Sequence, residues 1–179
     1  MIDSAQEIIV NSEELRKFVS EIYQKVGVSQ DDADAIANLQ VETDLRGVYS
    51  HGTRALRRYV SGMQSGFINA HPNMKVTKEG LAFALIDGDK GSGYLAGIKG
   101  MNFAINKAKT AGIATVGVFN SEHFGAAACY SMMALEHGMI GFSTTNTGKA
   151  SITAPGGAEP VIANNPMSYA IPAKEEPPI

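Results

Sequence analysis

The sequence has 179 residues, 44% of them apolar and 18% charged, and its 15 basic and 18 acidic side chains leave a formal net charge of −3. That size and composition suit a globular protein with a core of its own, and the charge balance excludes the clustered basic footprint of a nucleic-acid binder. The single cysteine, Cys129, excludes an intrachain disulfide framework and a Cys-rich zinc site, and no apolar run approaches the roughly 20 residues of a membrane span. Asp3 and Glu7 stand where a secretory signal would need an apolar run, so a cytoplasmic protein is expected.

The first third reads as helical. Leu15, Phe18, Val19, Ile22, Tyr23 and Val26 recur on one face of a helix, opened by Asn11 with Glu14 and closed at Gly27. A short strand over Glu7 to Val10 is expected before it. Ser29, followed by Asp31 and Asp32, opens a second helix whose buried face begins with Ala33, Ile36 and Ala37 and extends through Leu39 and Val41 towards Gly47. A third helix is predicted from Ser50 or His51, carrying Leu56, Tyr59, Val60 and Met63 inward and ending by Gly66.

The pattern changes near His71-Pro72. Met74–Thr77 and Leu81–Ile86 read as strands around a Glu79-Gly80 turn, followed by a glycine-rich stretch from Gly88 to Gly93. A helix carrying Ile98, Met101, Ala104, Ile105 and Ala108 runs to Gly112. Then come a strand over Ile113–Phe119, a helix over Ala126–Glu136, a strand over Met139–Thr145, a loop from Gly148 to Pro166 and a strand over Met167–Ile171. Ala173 to Ile179 reads as a turn leading into a further strand. This alternation predicts an α/β fold: a helical N-terminal segment, residues 1–70, followed by a mixed α/β domain, residues 71–179.

Of the four histidines, His71 and His137 read as structural, the second placed to complement a helix C-terminus. His51 lies in Ser50-His51-Gly52, with Arg54, Arg57 and Arg58 on the next turn. His123 lies in Asn120-Ser-Glu-His-Phe-Gly125, after an apolar strand and before a helix, where α/β proteins place working groups. An imidazole exchanges protons near neutrality, and a guanidinium holds a carboxylate through two hydrogen bonds. Such a kit polarises or protonates the carbonyl of an anionic acid while another group delivers a hydride. Spacing alone favours a solvated helix face for the arginines.

The stretch Asp87–Gly97 does not satisfy G-x-G-x-x-G, because Gly97 falls one position late after Gly91 and Gly93; a plain glycine-rich turn is expected. No His, Cys and carboxylate spacing resembles a metal site, so no metal is expected. Cys129 is expected to be buried and inert. Ser50 and His51 make a poor nucleophile–base pair, since sequence neighbours rarely reach the required geometry.

Taken together, Asp44-Leu-Arg-Gly-Val-Tyr-Ser-His-Gly52 with Arg58-Tyr59, Asn120-Ser-Glu-His-Phe-Gly-Ala126, Thr145-Asn-Thr147, Pro155-Gly-Gly157 and Asn165-Pro166 resemble the type II malate/L-lactate dehydrogenases. That family includes ureidoglycolate, sulfolactate and 2,3-diketogulonate oxidoreductases and a cyclic-imine reductase. The resemblance implies the family's α/β fold, which is not a Rossmann fold. It also implies an NAD- or NADP-dependent exchange of hydride between a 2-hydroxy acid and its 2-oxo acid, and a homodimer. His123 and His51 would be catalytic, jointly handling the proton; Ser50, Arg54 and Arg58 would bind substrate; Thr147, Asn165 and Pro166 would lie against the cofactor. Two departures stand out. Ala55 occupies the position, four residues after His51, where the family commonly has arginine. Family chains are also about twice as long, so the resemblance implies an N-terminal half, truncated within the second domain before a D-M-A-T cofactor-binding segment. The alternative is a non-catalytic fragment or binding subunit of such an enzyme.

Overall fold

Asn11 opens the first helix by accepting the Glu13 and Glu14 amides on its side-chain oxygen, at 2.9 and 3.2 Å, in a computed structural model that describes residues 9–148 and 150–179. Helix α1 (Ser12–Lys25) ends before Gly27, whose φ of +96° suits a residue without a Cβ. Ser29 caps α2 (Gln30–Leu45) by accepting the Asp32 amide. Of the strand expected over Glu7–Val10, the first two residues lie outside the described residues, and Ile9 and Val10 are irregular.

The chain divides into two units, Met1–His71 and Pro72–Ile179. In the first, Val19, Tyr23, Ile36, Ala37, Val41, Tyr59 and Met63 form the core, and burying each larger apolar side chain contributes about 1.5–3 kcal/mol. Arg16 ties α1 to α2, pairing with Glu42 and donating to Asn38 at 3.0 Å. The third helix starts later than expected. A turn spans Tyr49–Gly52, a 3-10 segment covers Thr53–Ala55, and α3 runs Leu56–Gln64. The expected start failed because the amide of Thr53 is capped from a distance, by Asp44, instead of by Ser50.

In the second unit, β1 (Lys75–Glu79) pairs antiparallel with β2 (Phe83–Gly91), and β2 pairs in parallel with β3 (Thr115–Ser121) across the crossover helix α4 (Gly93–Ala111). The stretch Asp87–Gly97, expected as a glycine-rich turn, is divided between the end of β2 and the start of α4, with a register shift between Asp87 and Gly91 where Asp89 and Lys90 take positive φ. Ala84 and Ile86 lie on the buried face of β2, while Phe83 and Leu85 stand exposed on the other. The expected helix over Ala126–Glu136 is broken into a four-residue α5 (Ala128–Ser131) and a 3-10 segment (Met132–His137), ended by Gly138 at φ +66°. Strands β4 (Gly141–Thr144) and β7 (Met167–Ala170) pair antiparallel, and the expected loop between them holds a small hairpin, β5 (Ile152–Thr153) with β6 (Pro160–Ile162). Ile171 and Ile179 exchange both backbone hydrogen bonds, at 2.7 and 3.1 Å, the pattern of an antiparallel pair. No helix among the described residues is long and apolar enough to cross a membrane.

Candidate active site

In the first unit, α2 is closed by Gly47, which adopts φ +76° and donates to the Asp44 carbonyl at 2.8 Å. Two further backbone bonds, His51 to Val48 at 3.0 Å and Gly52 to Tyr49 at 3.4 Å, fold the next residues into successive turns. The loop is closed by the Asp44 side chain. Its Oδ2 accepts the Thr53 amide at 2.9 Å and the Thr53 hydroxyl at 2.5 Å. Gly52 permits this, because a Cβ there would lie 1.8 Å from Asp44 Oδ1.

The loop presents a half-buried His51, whose Nδ1 lies 2.8 Å from the exposed Ser50 hydroxyl. Sequence adjacency therefore does not keep these two apart, contrary to the expectation for neighbours. Arg54 lies in the 3-10 segment and Arg57 and Arg58 on α3, all exposed, and no salt bridge among the described residues engages them. They remain available to an external anion.

In the second unit, His123 follows β3 through a bend that begins at Asn120, with φ +51°. The Asn120 side-chain amide donates to Asp87 Oδ1 at 2.7 Å, and the Asp89 amide donates to the same oxygen at 2.9 Å. The Asp89 amide, then the Asn120 side chain and then the nearby Lys75 charge hold the Asp87 carboxyl below its usual range. The Glu122 amide donates to the Gly91 carbonyl at 3.0 Å. The chain then lies directly on the head of α4: a Cβ on Gly93 would meet the Glu122 carbonyl oxygen at 2.1 Å and the His123 carbonyl at 2.6 Å.

That approach agrees with the absence of a dinucleotide fingerprint from the sequence. The start of α4 is covered by the protein's own backbone, where a Rossmann turn would leave room for a pyrophosphate. Beyond His123, Gly125 takes φ +73° against the buried Tyr94 ring, and Phe124 stacks on Tyr130 with centroids 5.0 Å apart. The Gly125 amide donates to His123 Nδ1 at 3.3 Å, a bond that places the proton of the neutral ring on Nε2.

Within the same unit the residues expected at the cofactor gather at one loop crossing. The Thr147 hydroxyl donates to the Asn164 carbonyl at 3.2 Å, and the Thr144 hydroxyl donates to the Pro166 carbonyl at 2.9 Å. Thr147 and Asn165 are exposed. Cys129, on α5, is half-buried, not buried as expected. Among the described residues no group of three His, Cys, Asp or Glu side chains could hold a metal ion.

Sequence reasoning gave no individual role to Asp44, Asn120 or Gly93. Asp44 caps from nine residues away, outside any local capping signature; Asn120 declares itself only through its left-handed backbone; Gly93 only through a tertiary contact.

The malate/L-lactate dehydrogenase family model matches residues 10–179. A malate dehydrogenase of Pyrococcus abyssi is 44% identical over 168 residues, covering 94% of this chain and 46% of that protein. An L-sulfolactate dehydrogenase of Methanocaldococcus jannaschii is 40% identical, covering 91% and 47%. The solved malate dehydrogenase of Pyrococcus horikoshii OT3 superposes with a TM-score of 0.91 at 43% identity, covering 96% of this chain and 49% of that one. The chain thus spans about half the length of the curated relatives it matches. By its sequence and its mixed α/β fold, the chain belongs to the malate/L-lactate dehydrogenase family.

Proposed function

We propose that this chain forms the proton-handling half of a nicotinamide-dependent oxidoreductase that interconverts a 2-hydroxy acid and its 2-oxo acid. The observation that carries the reading is the pair of family-matched histidine loops, each locked by a glycine that admits close backbone or carboxylate contact. Relatives named malate and L-sulfolactate dehydrogenase support an anionic hydroxy acid as substrate. NAD or NADP, when bound, supplies or accepts the hydride; the exposed Thr147 hydroxyl and Asn165 amide, with Pro166 shaping the loop, are a polar donor and acceptor set suited to hold it. We further propose that the complete protein acts as a cytoplasmic homodimer.

In this mechanism Arg54 or Arg58 holds the substrate carboxylate, taking the part that Ala55 cannot, and Ser50 assists at the same loop. His123 and His51 jointly manage the hydroxyl proton, releasing it to the carbonyl oxygen during reduction and receiving it during oxidation. Rigid presentation of these groups supplies orientation, and proton transfer supplies about 10²–10⁴-fold in rate. His123→Ala and His51→Ala in the complete protein test this: a fall of that size is expected, and unchanged turnover in His123→Ala would sink the assignment.

A second reading takes the 179 residues alone as a non-catalytic fragment or binding subunit, and their half-length match to the relatives favours it. Titration of the isolated chain with NADH and NADPH separates the two. Saturable binding near micromolar concentration counts against the fragment reading.

A further inference from the structure

Asp44 belongs to α2, yet its carboxylate works nine residues downstream. Its Oδ2 receives both the backbone amide and the hydroxyl of Thr53, the first residue of the 3-10 segment leading into α3. That segment has no side-chain cap from Gly52, the residue before it. Asp44 therefore replaces the missing cap and ties both ends of the loop 45–52 together. Gly52 is buried and leaves only enough room for this carboxylate. His51 is the residue immediately before Gly52, held between the Val48 carbonyl on its amide and the Ser50 hydroxyl on its ring.

We propose that Asp44 is the positioning residue for His51: by clamping Thr53 it fixes the one peptide link, Gly52, through which the His51 imidazole is aimed. This rests on the reading of His51 as a proton-handling residue, but its physical content does not require turnover. The clamp is an acceptor clamp. Asparagine retains an oxygen that can receive both Thr53 donors, alanine removes it, and a methyl on Gly52 displaces it from the other side. Asp44→Ala and Gly52→Ala, chemically unrelated changes, should have the same effect on His51, and combining them should add nothing.

The test uses the 179-residue chain and two nuclear-magnetic-resonance readouts: amide exchange at Thr53, and the ring carbon–hydrogen signal of His51, identified by its loss in His51→Ala. In Asp44→Ala and in Gly52→Ala, Thr53 exchange should accelerate about tenfold or more, as expected when a donor loses its hydrogen-bond acceptor. The His51 signal should shift or split in both. Asp44→Asn should restore the wild-type pattern. If Gly52→Ala does not fold, the two Asp44 variants decide alone. A His51 signal that stays in place while Thr53 exchange accelerates would reduce Asp44 to an ordinary cap, and Asn behaving like Ala would overturn the acceptor argument. Failure of the oxidoreductase reading would instead appear as unchanged turnover in His51→Ala of the complete protein, while the Asp44 and Gly52 variants still respond as described.

Discussion

Gly93→Ala places the smallest possible side chain where the His123 loop crosses α4. The new Cβ would lie 2.1 Å from the Glu122 carbonyl oxygen and 2.6 Å from the carbon and oxygen of the His123 carbonyl. A carbon and a carbonyl oxygen ordinarily approach no closer than about 3.3 Å, so the loop must retreat by about 1 Å. All three atoms are backbone, and no rotamer change relieves the overlap. Overpacking of this kind costs about 1–3 kcal/mol, and better helix propensity returns about 1 kcal/mol at most. Gly100→Ala is the internal control. It lies in the same helix, but its Cβ meets a movable Val118 methyl at 3.0 Å, so that variant should be neutral or slightly more stable. Urea unfolding of both variants measures the contrast. On the proposed role of His123, a 1 Å displacement should lower kcat/KM of the complete protein about 100-fold, about 2.7 kcal/mol of barrier. Equal stability of Gly93→Ala and Gly100→Ala would refute the claim that the His123 loop is pressed onto α4.

Two further changes read the electrostatics, in opposite pH windows. The Asp87 carboxyl is held below its ordinary 3.8 by the Asp89 amide first and Asn120 next, so its contribution is present above that pH and is lost as pH falls through the lowered folded value. Asp87→Asn should be less stable than wild type at neutral pH, with the gap closing below about pH 4; a gap independent of pH would contradict the bonding described. Tyr23 is fully buried, and its phenol oxygen has no hydrogen-bond partner among the described residues. Burial drives its pKa up; the Gln40 amide opposes this with a smaller pull, short of a completed hydrogen bond, and Tyr59 adds slightly to the rise. The stability of the neutral phenol is full below 10.0 and is lost as pH rises towards the raised folded value, so wild type should weaken relative to Tyr23→Phe above about pH 10. Unfolding midpoints followed from pH 7 to 11 check this, and parallel curves would exclude it.

Local signals were legible where the physics is local. Asn11, Ser29 and Gly112 mark helix ends through caps and a left-handed residue, and the structure places α1, α2 and α4 at those marks. The third helix was misplaced because its cap comes from Asp44, a tertiary interaction with no periodic trace. The helix expected after His123 is present over nearly its whole length but turns from α to 3-10 at Met132, where packing is close: Gly141 sits where a Cβ would lie 1.9 Å from the Ser131 carbonyl oxygen. The hairpin β5–β6 was hidden by its Gly and Pro content, which describes its turn better than its short strands. Both histidine loops were found from their motifs, but what holds them was not, since a motif records which residues are present and not which atoms they meet.

The two loops solve one problem by the same means. Each carries its histidine on irregular backbone, and each ties that backbone to regular structure with a carboxylate that accepts two donors: Asp44 from α2 for the His51 loop, Asp87 from β2 for the bend before His123. Each also spends a glycine on a contact too close for any side chain, Gly52 in one case and Gly93 in the other. Each histidine is therefore presented from backbone fixed by named contacts, the orientation that the proton transfer proposed above requires. The sheets differ. Phe83, Leu85 and Phe119 stand exposed on one sheet, and Phe142, Met167 and Tyr169 on the other, with Phe142 and Tyr169 in contact at 4.7 Å between centroids. A parallel pair such as β2 and β3 is ordinarily covered on both faces, and here α4 covers one. The apolar faces of these sheets stand open among the described residues, in a chain that spans about half the length of its curated relatives.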